Sequence, residues 1–126
     1  MNFDNWAVPF TANSKRAIEL VSIQYDGSSI CIVLYEEDSD RNWKVTFDSY
    51  VALRIVSEEC SAGIQNDLPE EGAFYITKKS DWLFELGKGD ISFLDDASHF
   101  VMCCYDEVIE VISCRSDVSI AEQIEV

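Results

Sequence analysis

The single histidine, His99, is the residue best suited to chemistry, because Asp95 and Asp96 closely precede it in the sequence. A carboxylate beside an imidazole can orient the ring for general-base catalysis. A lone histidine at the start of a strand is, however, more often structural than catalytic. An enzyme centred on these residues, or on Cys103 or Cys104, is therefore the third of three hypotheses, and we assign no catalytic residue.

The five cysteines fit reduced, buried thiols better than a disulfide framework or a metal site. Their number is odd and most lie within apolar runs, where unpaired cysteine usually packs. With one histidine and no C-x-x-C pair, the chain offers no ligand set for structural zinc. No phosphate-binding glycine loop and no G-x-S-x-G motif is present. We therefore expect no metal and no cofactor. The cysteines are Cys31, Cys60, Cys103, Cys104 and Cys114.

Charge is the strongest signal in the composition, since 24 Asp and Glu oppose nine Lys and Arg and give a net charge of -15 on 126 residues. Affinity for nucleic acid comes from Lys and Arg that release counterions, so direct nucleic-acid binding is excluded. Complementary potentials speed association with a basic protein, which makes such a protein the expected partner.

Ten carboxylates are nominated as partner-binding residues on charge alone. They are Glu36, Glu37, Asp38, Asp40, Glu58, Glu59, Glu70, Glu71, Asp95 and Asp96. Aromatic side chains would contribute more than these if they are exposed, because interface hot spots are rich in Trp and Tyr. The aromatic candidates are Trp6, Tyr35 and Tyr50.

The elements that must position these residues are predicted to be strands joined by hairpins. Segments 17–25 and 29–35 flank Asp26 and Gly27, which favour a tight turn. A second hairpin is expected between the strands around 98–105 and 108–114. Segment 57–72 has no sustained period and is predicted to be a loop that holds at most one helical turn. The other predicted strands are 43–48, 50–58 and 73–78.

Two short helices are predicted near charged or polar caps. Ser80 can cap the first helix, and Gly87 ends it. Asp117 can cap a last helix, in which Ile120 and Ile124 recur on one face. The shared apolar face of the first helix comprises Trp82, Leu83 and Leu86.

The predicted fold class is α+β, because no long amphipathic helix separates the strands as a parallel sheet would require. We expect a curved, mainly antiparallel sheet of about six or seven strands, or a partial barrel, with one or two short helices. Strands 29–35 and 99–105 are apolar on both faces and are predicted to be central. The length fits a single domain over 1–126.

The cytoplasm is the expected location, and no membrane partner is predicted. The longest apolar runs are far shorter than the roughly 20 residues of a membrane-spanning helix. The first ten residues, MNFDNWAVPF, lack the basic start and long apolar stretch of a secretory signal.

Two stretches carry a resemblance to a known class of protein. A W-x-V-x-F strand joins an acidic segment in WKVTFDSYVALRIVSEE (43–59), and an H-F strand precedes a D-x-V-I-E-V hairpin in the run from SDWLFELGKGDI (80–91) through HFVMCCYDEVIEVISC (99–114). In these features, which cover less than half of the chain, it resembles small acidic bacterial immunity proteins of toxin–immunity pairs, including those of contact-dependent growth inhibition. The resemblance implies a cytoplasmic protein that binds a cognate toxin domain and blocks its active site or substrate groove.

The leading hypothesis is therefore an immunity protein that neutralises a basic toxin domain, which we expect to be a nuclease. The second hypothesis is an acidic adaptor or nucleic-acid mimic, whose spaced carboxylates imitate phosphates for another basic protein. A further interpretation, open beside all three hypotheses, is that the acidity serves solubility alone, since Asp and Glu favour solubility.

Overall fold

The computed structural model describes residues 3–9, 17–87 and 92–123, which form nine strands and two short α-helices. Among these helices, none is long and apolar enough to cross a membrane. The helices are α1 (Ala62–Gln65) and α2 (Asp81–Leu86). Short 3₁₀ turns cover Glu58–Cys60, Ser92–Asp96 and Arg115–Asp117. The strands are β1 (Asp4–Asn5), β2 (Ile18–Asp26), β3 (Ser29–Glu36), β4 (Arg41–Phe47), β5 (Tyr50–Ser57), β6 (Phe74–Thr77), β7 (Ala97–Cys103), β8 (Glu107–Cys114) and β9 (Val118–Gln123).

The strands form two antiparallel sheets. The first sheet has the order β1-β6-β7-β8-β5, and the second has the order β2-β3-β4-β9. The predicted α+β class and antiparallel pairing are confirmed, as is the central place of β3 and β7. The strands divide between two sheets, however, instead of forming one curved sheet.

The main core lies between the two sheets, and this explains the division. Ile30 and Ile32 of β3 are fully buried in the same cluster as Met102 of β7. Phe47 of β4 meets Phe100 of β7 with ring centroids 5.4 Å apart in an edge-to-face contact. Each sheet therefore covers an apolar face of the other, as in a sandwich.

Helix α2 packs with the first sheet in a second, smaller apolar cluster. Leu83 of α2 packs there with Ala97 of β7 and Ile112 of β8. The predicted cap is confirmed, because Ser80 Oγ accepts a hydrogen bond from the Leu83 amide at 3.1 Å. The residue after the helix is Gly87, as predicted.

The predicted last helix is wrong, because residues 118–123 form strand β9. This strand pairs with β4 from Val118 opposite Phe47 to Gln123 opposite Asn42. Pairing satisfies the backbone groups along the otherwise open edge of β4, and this non-local gain outweighs the local helical spacing. Asp117 accepts a hydrogen bond at its carbonyl from Asp48 N at 2.9 Å. Ile124 lies outside the described residues.

The predicted hairpin of β2 and β3 is confirmed, and its turn consists of Gly27 and Ser28. Gly27 has a φ of 64°, which favours glycine, whereas Asp26 is the last residue of β2. The loop after β5 contains the expected helical turn, α1.

Candidate functional site

His99 lies inside β7 and belongs to a buried polar cluster that joins four elements. Its Nε2 is 2.8 Å from Oε1 of Glu110 on β8, and its Nδ1 is 2.8 Å from Oγ of Ser80 at the start of α2. The register of β5 and β8 places Arg54 directly opposite Glu110. Local strand geometry and the helix cap therefore bring these four side chains together.

Arg54 binds Glu110 through two parallel hydrogen bonds. Its Nε donates to Oε2 and its Nη2 donates to Oε1, both at 2.8 Å. The guanidinium also lies over the Trp82 ring, 4.2 Å from the centroid. Phe3 and Trp82 contact the His99 ring edge-on, with centroids 5.2 and 5.3 Å away.

The cluster keeps Glu110 ionised. Burial acts to raise the pKa of this carboxyl, but hydrogen bonds from His99 and Arg54 and the charges of both outweigh burial, so the net pKa is lowered. The hydrogen bond to Glu110 likewise raises the pKa of Arg54. An ionised carboxylate only accepts, so His99 donates from Nε2.

A cavity of about 440 Å³ opens beside this cluster, and Arg54, Ser80, Trp82 and His99 are among its lining residues. His99 is nevertheless buried, and both of its ring nitrogens have partners. Arg54 neutralises the carboxylate that would activate the imidazole. The arrangement therefore joins β5, β7, β8 and α2, and none of its four polar side chains is a free base, although the carboxylates of Asp67 and Asp81 also line the cavity.

The expected pairing of His99 with Asp95 or Asp96 is wrong, since its ring nitrogens contact Ser80 and Glu110. Asp95 and Asp96 are exposed in the 3₁₀ turn that precedes β7. The turn ends before the strand carries His99 into the interior, which separates these carboxylates from the ring.

The two cysteines considered as nucleophiles, Cys103 and Cys104, are buried, as expected of inert thiols. Burial raises the pKa of the Cys104 thiol, and the charge of Glu107 raises it further. A thiol that stays protonated is a poor nucleophile. The expectation of burial is wrong for Cys60, which is exposed; Cys31 and Cys114 are half-buried.

A second cavity, of about 540 Å³, collects carboxylates from separate parts of the chain. We call it the acidic cavity; it is lined by Ser57, Glu58, Glu59, Gln65, Cys104, Tyr105 and Asp106. The amide of Glu58 donates to the carbonyl of Asp106 at 2.7 Å, which fixes the end of β5 against the β7–β8 turn. Tyr105 is 53% exposed at this cavity.

Acidity at the cavity extends to the neighbouring Glu107. Partial burial raises the pKa of this carboxyl, and the charge of Asp106 raises it further. A cation placed here would relieve that repulsion. Because Glu58, Glu59 and Asp106 also line the cavity, its charge favours a positively charged ligand group over an anionic one.

Of the ten nominated carboxylates, Glu58 and Glu59 line the acidic cavity together. The nomination of Glu36 for partner binding is wrong, because its carboxylate is buried and accepts hydrogen bonds from Ser39 Oγ and Trp43 Nε1. The other nominated carboxylates are exposed, in separate turns and loops. They are Glu37, Asp38, Asp40, Glu70, Glu71, Asp95 and Asp96.

None of the three aromatic candidates is exposed. Trp6 is buried against Phe100, with ring centroids 4.9 Å apart, and Tyr35 and Tyr50 are half-buried. The sequence reasoning missed Tyr105 and its neighbour Asp106. The signal that could have found them is an aromatic residue beside charges in a tight turn between two apolar strands.

Comparisons with models of protein families, with curated proteins and with solved structures find no match. Within the described residues, no group of three or more His, Cys, Asp or Glu side chains is placed to hold a metal ion. The acidic cavity and the buried polar cluster are therefore interpreted from their own geometry.

Proposed function

We propose that this chain is a cytoplasmic immunity protein that binds a cognate basic toxin domain, a nuclease, and blocks its active site or substrate groove. The observation that carries the proposal is the acidic cavity, where Glu58, Glu59 and Asp106 surround a concave surface beside the exposed Tyr105. The resemblance in segments 43–59 and 80–114 supports the same class of protein.

The chemistry of the acidic cavity suits an Arg or Lys side chain of the partner. Carboxylates bind guanidinium groups through short, charge-assisted hydrogen bonds. The face of Tyr105 can contact the same cation, and exposed tyrosines are common among interface hot spots. A nuclease groove is rich in such cations because it must hold a phosphate backbone.

The net charge of -15 supports binding in a second way, because it steers a basic partner toward the protein from a distance. Individual exposed ion pairs contribute little, so a specific site must group several charges. The carboxylates at 37–40, 58–59 and 70–71 occupy separate turns, whereas a nucleic-acid mimic needs a regular line of them. We therefore favour toxin binding over phosphate imitation.

Co-expression with a toxic domain encoded beside this gene tests the proposal. We expect growth to be restored and a tight complex to form. The double variant Glu58→Gln/Glu59→Gln should weaken that complex by at least about tenfold, through loss of charge-assisted hydrogen bonds. Absence of any toxic neighbour and of any complex would refute the proposal.

The matched control is Glu37→Gln/Asp38→Asn, which removes the same two charges from the exposed β3–β4 turn. It should slow association slightly and leave dissociation unchanged, because distant charges act mainly on the association rate. Equal weakening by both double variants would show that diffuse charge, and not the acidic cavity, accounts for binding.

A further inference from the structure

In the described part of the chain, two edge strands border one side of the core. Strand β2 is at the edge of the second sheet, and β5 is at the edge of the first. At one end of this side the Tyr25 and Tyr50 rings lie 6.3 Å apart, and the amide of Tyr50 donates to the carbonyl of Ser28 at 3.3 Å. The end of β2 therefore lies beside the start of β5.

The opposite end of this side adjoins the acidic cavity. The amide of Tyr105 donates to the carbonyl of Ile18, the first residue of β2, at 2.8 Å. Strand β5 ends at Ser57, which lines the acidic cavity. Strand β5 thus runs from the Tyr25–Tyr50 pair to the acidic cavity, and β2 runs in the opposite direction.

Exposed apolar side chains are concentrated on this side. Among the described residues six large apolar or aromatic side chains are exposed, and five of them lie on β2, on β5 or at Tyr105. We call these five residues the open edge: Val21, Tyr25, Val51, Ile55 and Tyr105. The sixth, Phe84, is on α2. Grouped exposure of this kind marks interaction surfaces, whereas single exposed residues need no explanation.

The backbone of β5 provides hydrogen-bonding groups along the open edge. Strand β8 is the only strand that pairs with β5 in the described part of the chain, and from Ala52 to Ser57 the pairing is regular. Among the described strands, none occupies the outer edge of β5, so that edge can accept another strand. Ile55, on the face of β5 that also carries Leu53, is 45% exposed beside that edge.

Charge decides which molecule fits this surface. A second copy of the chain would bring another net charge of -15 to an edge that ends in the acidic cavity, which opposes self-association. An extended segment with alternating apolar side chains and a basic end matches both parts of the surface. Strand addition at a sheet edge uses this combination of backbone bonds and side-chain contacts.

We propose that β5 accepts an extended segment of the basic partner as an added strand. The apolar side chains of the segment contact Ile55 and Tyr25, and its basic end enters the acidic cavity. This inference rests on the proposed function, because the segment belongs to the toxin domain.

The probe is a synthetic ten-residue peptide that alternates valine and threonine and ends in two arginines. Alternate amides are N-methylated, so one edge of the peptide cannot donate backbone hydrogen bonds to another strand. We expect binding that slows hydrogen exchange of β5 amides in the full protein. A peptide with two glutamates in place of the arginines should bind at least about tenfold more weakly, because it is repelled by the acidic cavity.

Ile55→Glu separates apolar docking from simple charge attraction. Added negative charge would strengthen a purely electrostatic complex, whereas loss of the apolar contact should weaken peptide binding by about tenfold. Phe84→Glu is the matched control, since Phe84 is the exposed large apolar side chain among the described residues that lies on α2 and on neither β2 nor β5. It should bind the peptide at least as tightly as the wild type does.

Three results overturn the added strand: unchanged or tighter peptide binding by Ile55→Glu, no slowing of exchange in β5, or concentration-dependent dimers that exclude the peptide. The toxin domain separates this failure from failure of the proposed function. If Ile55→Glu neutralises the toxin normally while Glu58→Gln/Glu59→Gln does not, the proposed function holds and the added strand does not. If the peptide binds but no toxin domain does, the proposed function fails and the surface remains a peptide-binding edge.

Discussion

At the residue scale, Glu110 joins β8 to two neighbouring strands. It accepts hydrogen bonds from Arg54 on β5 and from His99 on β7, and its own side chain is buried. A neutral side chain at this position keeps one carbonyl oxygen for three donor groups, so it leaves part of the Arg54 and His99 hydrogen bonding unsatisfied. Loss of a buried acceptor in this way costs more stability than the intact pair contributes.

Glu110→Gln should therefore lower the free energy of unfolding at neutral pH by about 2 kcal/mol, less than for a fully buried pair because Arg54 is partly exposed. Chemical denaturation measures this change. The control is Glu122→Gln, which breaks an exposed pair with Arg41 at 3.5 Å and should cost less than about 0.5 kcal/mol. Equal effects of the two variants would contradict the structural role assigned to Glu110.

The loss of stability caused by Glu110→Gln should depend on pH. The pKa of Glu110 in the native state lies below its ordinary value of 4.5, so its ionised form contributes stability above that pH. The contribution is lost as pH falls through the native pKa. The difference in unfolding free energy between wild type and Glu110→Gln should thus be constant near neutral pH and shrink below about pH 4.5. A difference that grows with acid would be inconsistent with a lowered pKa.

The partners of His99 could not be predicted from the sequence, because they depend on strand register. Ser80 and Glu110 are far from it along the chain but adjacent in the fold. Asp95 and Asp96 are near in sequence, yet the 3₁₀ turn leaves them at the surface. Glu36 shows the same limit, since its buried hydrogen bond to Trp43 needs β3 and β4 to be paired.

At the element scale, turns and caps were predictable because their signals are local. The Gly27 turn and the Ser80 cap follow from residues within each element. Strand β9 was not predictable, because its helical spacing conflicts with pairing to the distant β4. The acidic cavity also depends on a distant contact, that of Glu58 with Asp106.

Two glycines should respond to alanine in opposite directions. Gly27 has a φ of 64° with no atom within 4 Å of an added Cβ, so Gly27→Ala should lower the free energy of unfolding by about 1 kcal/mol through backbone strain alone. Gly63 lies in α1 with equally open space and no positive φ. Gly63→Ala should raise the free energy of unfolding by about 0.5 kcal/mol, because it restricts the unfolded chain. Thermal unfolding of both variants tests the pair; destabilisation by Gly63→Ala would count against helix α1.

At the scale of the whole molecule, the α+β class was predictable from alternating strands and the lack of long helices. The division into two sheets was not, since β1 pairs with β6 and β4 pairs with β9 across long stretches of chain. Apolar alternation shows that a face is buried but does not show which sheet covers it.

Self-repulsion should make stability depend on salt. Raising sodium chloride from 0.01 M toward 1 M shortens the Debye length from about 30 Å to about 3 Å and should raise the free energy of unfolding by about 1 kcal/mol. Thermal melts across this range measure the slope. Glu37→Gln/Asp38→Asn removes two exposed charges from the net -15 and should flatten the slope. An unaltered slope in this variant would attribute the salt effect to something other than net charge.

The long-range pairing of β4 with β9 has a kinetic consequence. Asn42 must pair with Gln123 before the second sheet is complete. Contacts between residues so far apart in the sequence slow folding. Until then the outer edge of β4, with Trp43 and Val45, can pair with other unfinished chains and aggregate. The many carboxylates counter this hazard, because chains of strong like charge repel one another in the unfolded state as well. Acidity therefore reduces the aggregation of newly made molecules before β9 has paired with β4.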